Sequence, residues 1–265
     1  MQILAHGVRI YPWTTFVEST KIPAGLRDAK GQLVHPGYLP GAEEKSTGSY
    51  GGWDAWITGT APPEDPGGIS YFAIGYFSDM VFEKTDWDVK TFNVDRDLPI
   101  ARQKTAEALD AVNPNLSSFR SHGGKLILYH GWNDACIPAL NTVNYYEEVV
   151  GSMGRGNADS FARLYMVPGM QHCFAGPGAD MFGQSPTNPG TSDPQRNAQT
   201  ALEDWVEKGT APDVIIASKI EGAAPMTVGS VVMTRPLCPY PQQAHYKGSG
   251  DPNRAENFAC ATAKK

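Results

Sequence analysis

The sequence predicts an α/β protein with a mainly parallel sheet. Three observations carry that expectation. Short apolar runs bounded by glycine, which read as buried strands, alternate with stretches whose apolar residues recur at helical spacing. Polar loops bearing Asp and His follow two of those runs, where open α/β sheets form their sites. Residues 1–95 show neither period and are instead rich in Gly, Pro and aromatic residues.

In that first region Pro36-Gly37-Tyr38, Pro40-Gly41, Gly51-Gly52-Trp53 and Pro66-Gly67-Gly68 signal turns. The aromatics between them have two readings: packing for a loop-rich region, or a lid over a pocket. Leu98 to Val112 reads as a helix, with Pro114 as a stop. Lys125-Leu126-Ile127-Leu128-Tyr129-His130 reads as a buried strand, Gly131 to Asp134 as a loop, and Leu140 to Val150 as a helix. The pattern repeats with a strand from Phe161 to Val167, a loop from Pro168 to Cys173, and a helix from Asn197 to Lys208 closed by Gly209. Ala198, Ala201, Leu202, Trp205 and Val206 share a face of that helix. Val214 to Ala217 and Val231 to Thr234 read as strands, and Leu237 to Lys265 as an ordered coil wrapping the domain.

Composition narrows the function. A chain of 265 residues suits one large domain or two small ones. With 22 basic and 28 acidic residues the formal charge is −6, which disfavours nucleic acid as a partner. A hydrophobic share of 41% excludes disorder despite 28 Gly and 21 Pro. No apolar run approaches the roughly 18–20 residues of a membrane span, so no membrane partner is expected. Met1 to Gly7 lacks the basic start and apolar stretch of a signal peptide. The cysteines, Cys136, Cys173, Cys238 and Cys260, are spaced by 37, 65 and 22 residues. No metal-binding spacing appears among them, and no cofactor is expected. Their even number leaves open three full pairings, or free thiols.

The candidate chemistry lies after the first two strands. Asp134 comes six residues after Leu128, and His172 five after Val167. Neighbouring strands would set the two loops side by side, where a carboxylate fixes the orientation and tautomer of an imidazole. Asp followed later by His matches the last two members of the Ser…Asp…His order of α/β-hydrolases. The plainer readings are that Asp134 caps the next helix and that His172 is a surface or structural residue. His130 is a rival for His172, but its place at the strand end reads as pointing into the sheet. His6, His35, His122 and His245 have no patterned neighbours. No serine stands in a strand-to-helix Gly-x-Ser-x-Gly elbow; Gly48-Ser49-Tyr50-Gly51 and Gly151-Ser152-Met153-Gly154 come nearest.

Three segments carry a family resemblance: Gly123 to Asp134, Val167-Pro168-Gly169-Met170-Gln171-His172-Cys173, and Arg235-Pro236-Leu237-Cys238-Pro239-Tyr240-Pro241. Looser matches are His35-Pro36-Gly37-Tyr38, Gly51-Gly52-Trp53 and Asp86-Trp87-Asp88. Over nearly its whole length the chain resembles the tannase and feruloyl esterase family, which includes mono(2-hydroxyethyl) terephthalate hydrolases. The resemblance implies an α/β-hydrolase fold with an inserted loop-rich lid. Residues 1–95 then correspond to the later part of the lid, and residues 96–265 to the C-terminal part of the catalytic domain.

The implied activity is serine-type hydrolysis of a small-molecule phenolic ester, with Asp134 and His172 as candidate catalytic residues. Tyr38 and Trp53 are candidate substrate-binding rings. The family's serine stands in a Gly-x-Cys-Ser-x-Gly-Gly segment, and this chain is expected to begin after it. The partner implied is a missing N-terminal half carrying the nucleophile. The resemblance pairs Cys238 with Cys260, and pairs Cys173 with the cysteine before that serine. Cys173 is therefore expected as an orphan thiol, with no bond to Cys136. Secretion or a periplasmic location is implied in the same way. The alternatives are an inactive fragment, a non-catalytic remnant that binds aromatic ligands, or one subunit of a two-chain enzyme.

Overall fold

The computed structural model describes residues 24–44, 51–59, 67–184, 192–221 and 229–262. Ser49 and Pro66 lie outside the described residues. The described residues form two compact units. One draws on residues 24–38, 53–59 and 67–111, the other on 39–44, 51–52, 112–184, 192–221 and 229–262.

In the first unit β1 (Leu26–Arg27) and β2 (Leu33–His35) pair antiparallel. The chain turns between them because the Asp28 carboxylate accepts the backbone N–H groups of Lys30 at 2.9 Å and Gln32 at 2.7 Å. α1 (Gly68–Gly75) runs on into a π-helical stretch, Tyr76–Val81. α2 (Val94–Leu109) starts at a reciprocal cap. The Asn93 side chain accepts from the Arg96 N–H at 3.0 Å, and the Asp97 carboxylate accepts from the Asn93 N–H at 2.7 Å.

The sequence reading starts this helix at Leu98 because apolar spacing follows the buried face and overlooks a polar cap. Ala101 packs with Phe77 and Val81 beside Trp87 and Phe92, and the Tyr76 and Thr105 hydroxyls meet at 2.7 Å. These contacts keep α2 in the first unit, which runs to Ala111 and past residue 95.

The second unit opens with α3 (Ser117–Ser121), β3 (Leu126–Gly131), α4 (Ala139–Met153), α5 (Arg155–Asp159) and β4 (Ala162–Val167). β3 and β4 pair in parallel, with α4 and α5 in the crossover between them. Val143, Tyr146 and Val149 lie on one face of α4 and pack with Phe161, Leu164 and Met166. α6 (Ala198–Lys208) is capped by the Asn197 side chain, which accepts from the N–H groups of Gln199 and Thr200, and ends at left-handed Gly209. Ala201 and Trp205 are buried as expected, whereas Val206 is 56% exposed. The Trp205 ring receives the Lys125 ammonium at 5.5 Å and the Arg163 guanidinium at 5.1 Å.

The sheet expectation needs correction. β5 (Ile215–Ile220) and β6 (Val231–Leu237) pair antiparallel. Residues 221–230 between them are too few to carry a helical crossover back to a parallel start. Among the described residues, one of the four strand pairs is parallel. The tail is also more ordered than a coil: β7 (Gln242–Tyr246) and β8 (Phe258–Thr262) form an antiparallel pair. Cys238, just after β6, is bonded to Cys260 in β8, with Cα atoms 5.6 Å apart. The Arg235 guanidinium lies 4.7 Å from the Phe258 ring centroid.

The disulfide closes a separation of 22 residues, so in the chain-entropy model it stabilises by about 3 kcal/mol. Denaturant unfolding of the oxidised chain against a Cys238→Ala, Cys260→Ala double variant should show a loss of about that size. Equal midpoints for the two proteins would contradict it.

Candidate active site

The site is built by the parallel register of β3 and β4, which runs from Leu126 opposite Ala162 to Gly131 opposite Val167. Both strands therefore end at one level. Beyond it the chain segments stay joined, by the Trp132 N–H to the Val167 carbonyl and the Asn133 N–H to the Met170 carbonyl, both at 3.0 Å. Glycine is required at 131, because a Cβ there would stand 2.1 Å from the Met170 carbonyl oxygen. Asp134, three residues past Gly131, and His172, five past Val167, leave the same edge.

Asp134 is 4% exposed. Its Oδ1 accepts the backbone N–H groups of Cys136 at 2.7 Å and Ile137 at 2.9 Å. Its Oδ2 accepts from His172 Nδ1 at 3.0 Å and lies 3.1 Å from His130 Nε2. These backbone bonds hold the loop before α4, whose own N-cap is Pro138, so Asp134 is not the helix cap. Burial pushes the Asp134 carboxyl up, but hydrogen bonds from His130, His172 and the Ile137 N–H outweigh it. The carboxyl sits well below the usual carboxylate range. His172 is raised to about 10, first by its hydrogen bond to Asp134 and then by one to Cys173, with desolvation opposing.

The loop carrying His172 is strained and braced. Cys173 and Ala175 have φ of +65° and +66°, left-handed values that favour glycine. Asp180, 5% exposed, accepts the Ala175 N–H at 2.6 Å and the Lys219 ammonium at 3.1 Å. Lys219 also donates to the Gly176 carbonyl at 2.6 Å. The segment 39–44 is tied to both site loops. The Asn133 side-chain amide donates to the Gly41 carbonyl at 3.1 Å, and that of Gln171 to the Glu44 carbonyl at 2.5 Å.

The structure thus places Asp134 and His172 in direct contact. Tyr38 and Trp53 belong to the first unit. Cys173 is an exposed thiol beside His172. The Cys136 thiol is pushed up to about 12 by burial and then by the Asp134 charge. Ser152 lies in the last turn of α4, which makes no strand-to-helix elbow. The sequence reading turned His130 into the sheet; here its ring reaches Asp134. The available signal was the four-residue spacing from His130 to Asp134 across a turn closed by the Asp134 N–H to the Gly131 carbonyl.

A family model described as tannase and feruloyl esterase matches residues 15–261. The chain belongs to that family. It is 40% identical over 210 residues to mono(2-hydroxyethyl) terephthalate hydrolase of Piscinibacter sakaiensis, covering 78% of this chain and 30% of that protein. It is 36% identical over 256 residues to an uncharacterized esterase of Xanthomonas campestris, covering 89% of this chain and 43% of that one. The crystal structure of feruloyl esterase B from Aspergillus oryzae superposes with a TM-score of 0.77 at 29% identity, covering 92% of this chain and 44% of the other. The chain therefore spans less than half the length of each of these relatives.

Two outcomes follow from the electrostatics. The stability that Asp134 supplies is complete above its ordinary pKa of 3.8 and is lost as pH falls below it. That from His172 is complete below 6.5 and fades as pH rises toward about 10. Unfolding free energy should therefore be highest between about pH 4 and 6.5, and Asp134→Asn should flatten the alkaline arm. A wild-type alkaline arm as flat as the variant's would contradict this. Separately, Cys173→Ala should lower the His172 midpoint relative to the parent in an NMR titration, because it removes a hydrogen bond that favours the charged ring. An unchanged midpoint would show that Cys173 does not act on the ring.

Proposed function

We propose that this chain serves a serine-type carboxylic ester hydrolase acting on phenolic-acid esters, with His172 as general base and Asp134 as its partner. The observation that carries the reading is the 3.0 Å contact from His172 Nδ1 to Asp134 Oδ2. With Nδ1–H committed to the carboxylate, Nε2 of the neutral ring, a form that the raised proton affinity of His172 makes more abundant as pH rises, is the nitrogen that takes the proton of an attacking serine hydroxyl. The resulting imidazolium is stabilised by Asp134 and returns the proton to the leaving alcohol, and water then hydrolyses the acyl-enzyme.

Family membership supports the ester class, and the feruloyl esterases among the relatives support phenolic acids. In this reading the first unit is the later part of a lid, and Tyr38 and Trp53 stack on the phenolic ring. The second unit is the closing part of an α/β-hydrolase domain. The serine and its oxyanion donors come from a Gly-x-Cys-Ser-x-Gly-Gly segment outside these 265 residues. The disulfide supports an exported, oxidising location.

Joined to the serine-bearing segment of a family member, the chain should hydrolyse methyl ferulate. His172→Ala should then lower kcat/KM by about 10³-fold or more. Alone, it should show neither turnover nor labelling by a fluorophosphonate. Labelling of the lone chain would place the nucleophile within it. A folded fusion whose activity survives His172→Ala would overturn the proposed base.

A further inference from the structure

His130 is a buried titratable side chain beside Asp134 that the mechanism above leaves unused. It is set in β3 opposite Met166. Side chains alternate along a strand, and here Tyr129 packs edge-on against Phe182 at 5.3 Å while His130 turns toward α4. Its side chain is 10% exposed. Three partners surround the ring. Nδ1 lies 2.7 Å from the Thr142 hydroxyl, and Nε2 lies 3.0 Å from the Ile137 carbonyl and 3.1 Å from Asp134 Oδ2.

Both oxygens near Nε2 are acceptors only, so Nε2 carries the hydrogen. Thr142 can donate to Nδ1, which makes the neutral ring with hydrogen on Nε2 sufficient for every contact. The Oδ2 atom that receives His172 is therefore shared with a second, rigidly held N–H donor.

We infer that His130 is a positioning residue of this site: by donating Nε2–H to Asp134 Oδ2 it fixes that oxygen toward His172 and draws off part of the charge that His172 feels. The inference rests on reading Asp134 and His172 as the acid and base of the site. A carboxylate oxygen with two donors binds each less strongly than an oxygen with one. His130 thus moderates how tightly Asp134 holds the proton of His172. Among the described residues, the titratable groups around the cluster are Tyr129 and His130 on β3, Asp134 and Cys136 on the loop after it, and His172 and Cys173 on the loop after β4.

The test is an NMR titration of the His172 ring in the purified chain, which needs no turnover. His130→Leu should raise the His172 midpoint by roughly half a pH unit, about threefold in proton affinity. His130→Gln, whose amide N–H can stand in for Nε2–H, should return it to within about 0.2 unit of the parent. Thr142→Val releases Nδ1 and should also raise it, which keeps the inference testable if His130→Leu does not fold. A folded His130→Leu protein with the parent midpoint would overturn the role, as would Thr142→Val with no shift. Asp134→Asn separates the two readings. It should lower the midpoint, and a failure to do so would indict the Asp134–His172 pair rather than His130.

Discussion

The site depends on one buried carboxylate. Asp134 is almost fully enclosed, and each of its oxygens meets two donors: two backbone N–H groups on Oδ1 and two imidazole rings on Oδ2. An unpaired ionised carboxylate at that depth would be strongly destabilising. Four hydrogen bonds offset the lost hydration, and they hold the carboxyl ionised despite burial. The same bonds bring three chain segments together: the end of β3, the loop before α4 and the loop after β4. Removing the charge therefore affects local structure and the orientation of His172 together.

That arrangement follows from the β3–β4 register. Six consecutive parallel pairs end level at Gly131 and Val167, so loops of three and five residues bring Asp134 and His172 to one edge. The strained residues after His172 are held by the Asp180–Lys219 pair and by local backbone bonds. Lys219 comes from β5, so the antiparallel β5–β6 pair supports the loop that presents the imidazole. Strain of this kind persists only where the surroundings over-determine it.

How much was legible in the sequence depended on the range of the interaction. The strand–loop–helix rhythm from Lys125 to Lys208 was visible because glycine bounds and apolar runs are local signals. Asp134 and His172 stood out because both follow such runs. His130 did not, because its role arises from a turn that brings residue i+4 back beside the strand end, and periodicity does not encode that. The start of α2 was hidden by a polar cap. The β7–β8 pair was hidden because its alternation is weak and its hold comes from a disulfide and an Arg–aromatic contact. The direction of β5 and β6 turned on the length of their link, a constraint that apolar patterning does not report.

Asp134 stays ionised in the folded chain because four donors face it. The direct measurement is the carboxyl ¹³C shift of Asp134 followed by NMR as pH is lowered through the range in which the chain stays folded. This signal should remain at its ionised position through about pH 3.9, where ordinary aspartates are half protonated. A midpoint at or above that value in the folded chain would contradict it, and would remove the charged partner on which the proposed role of His172 rests.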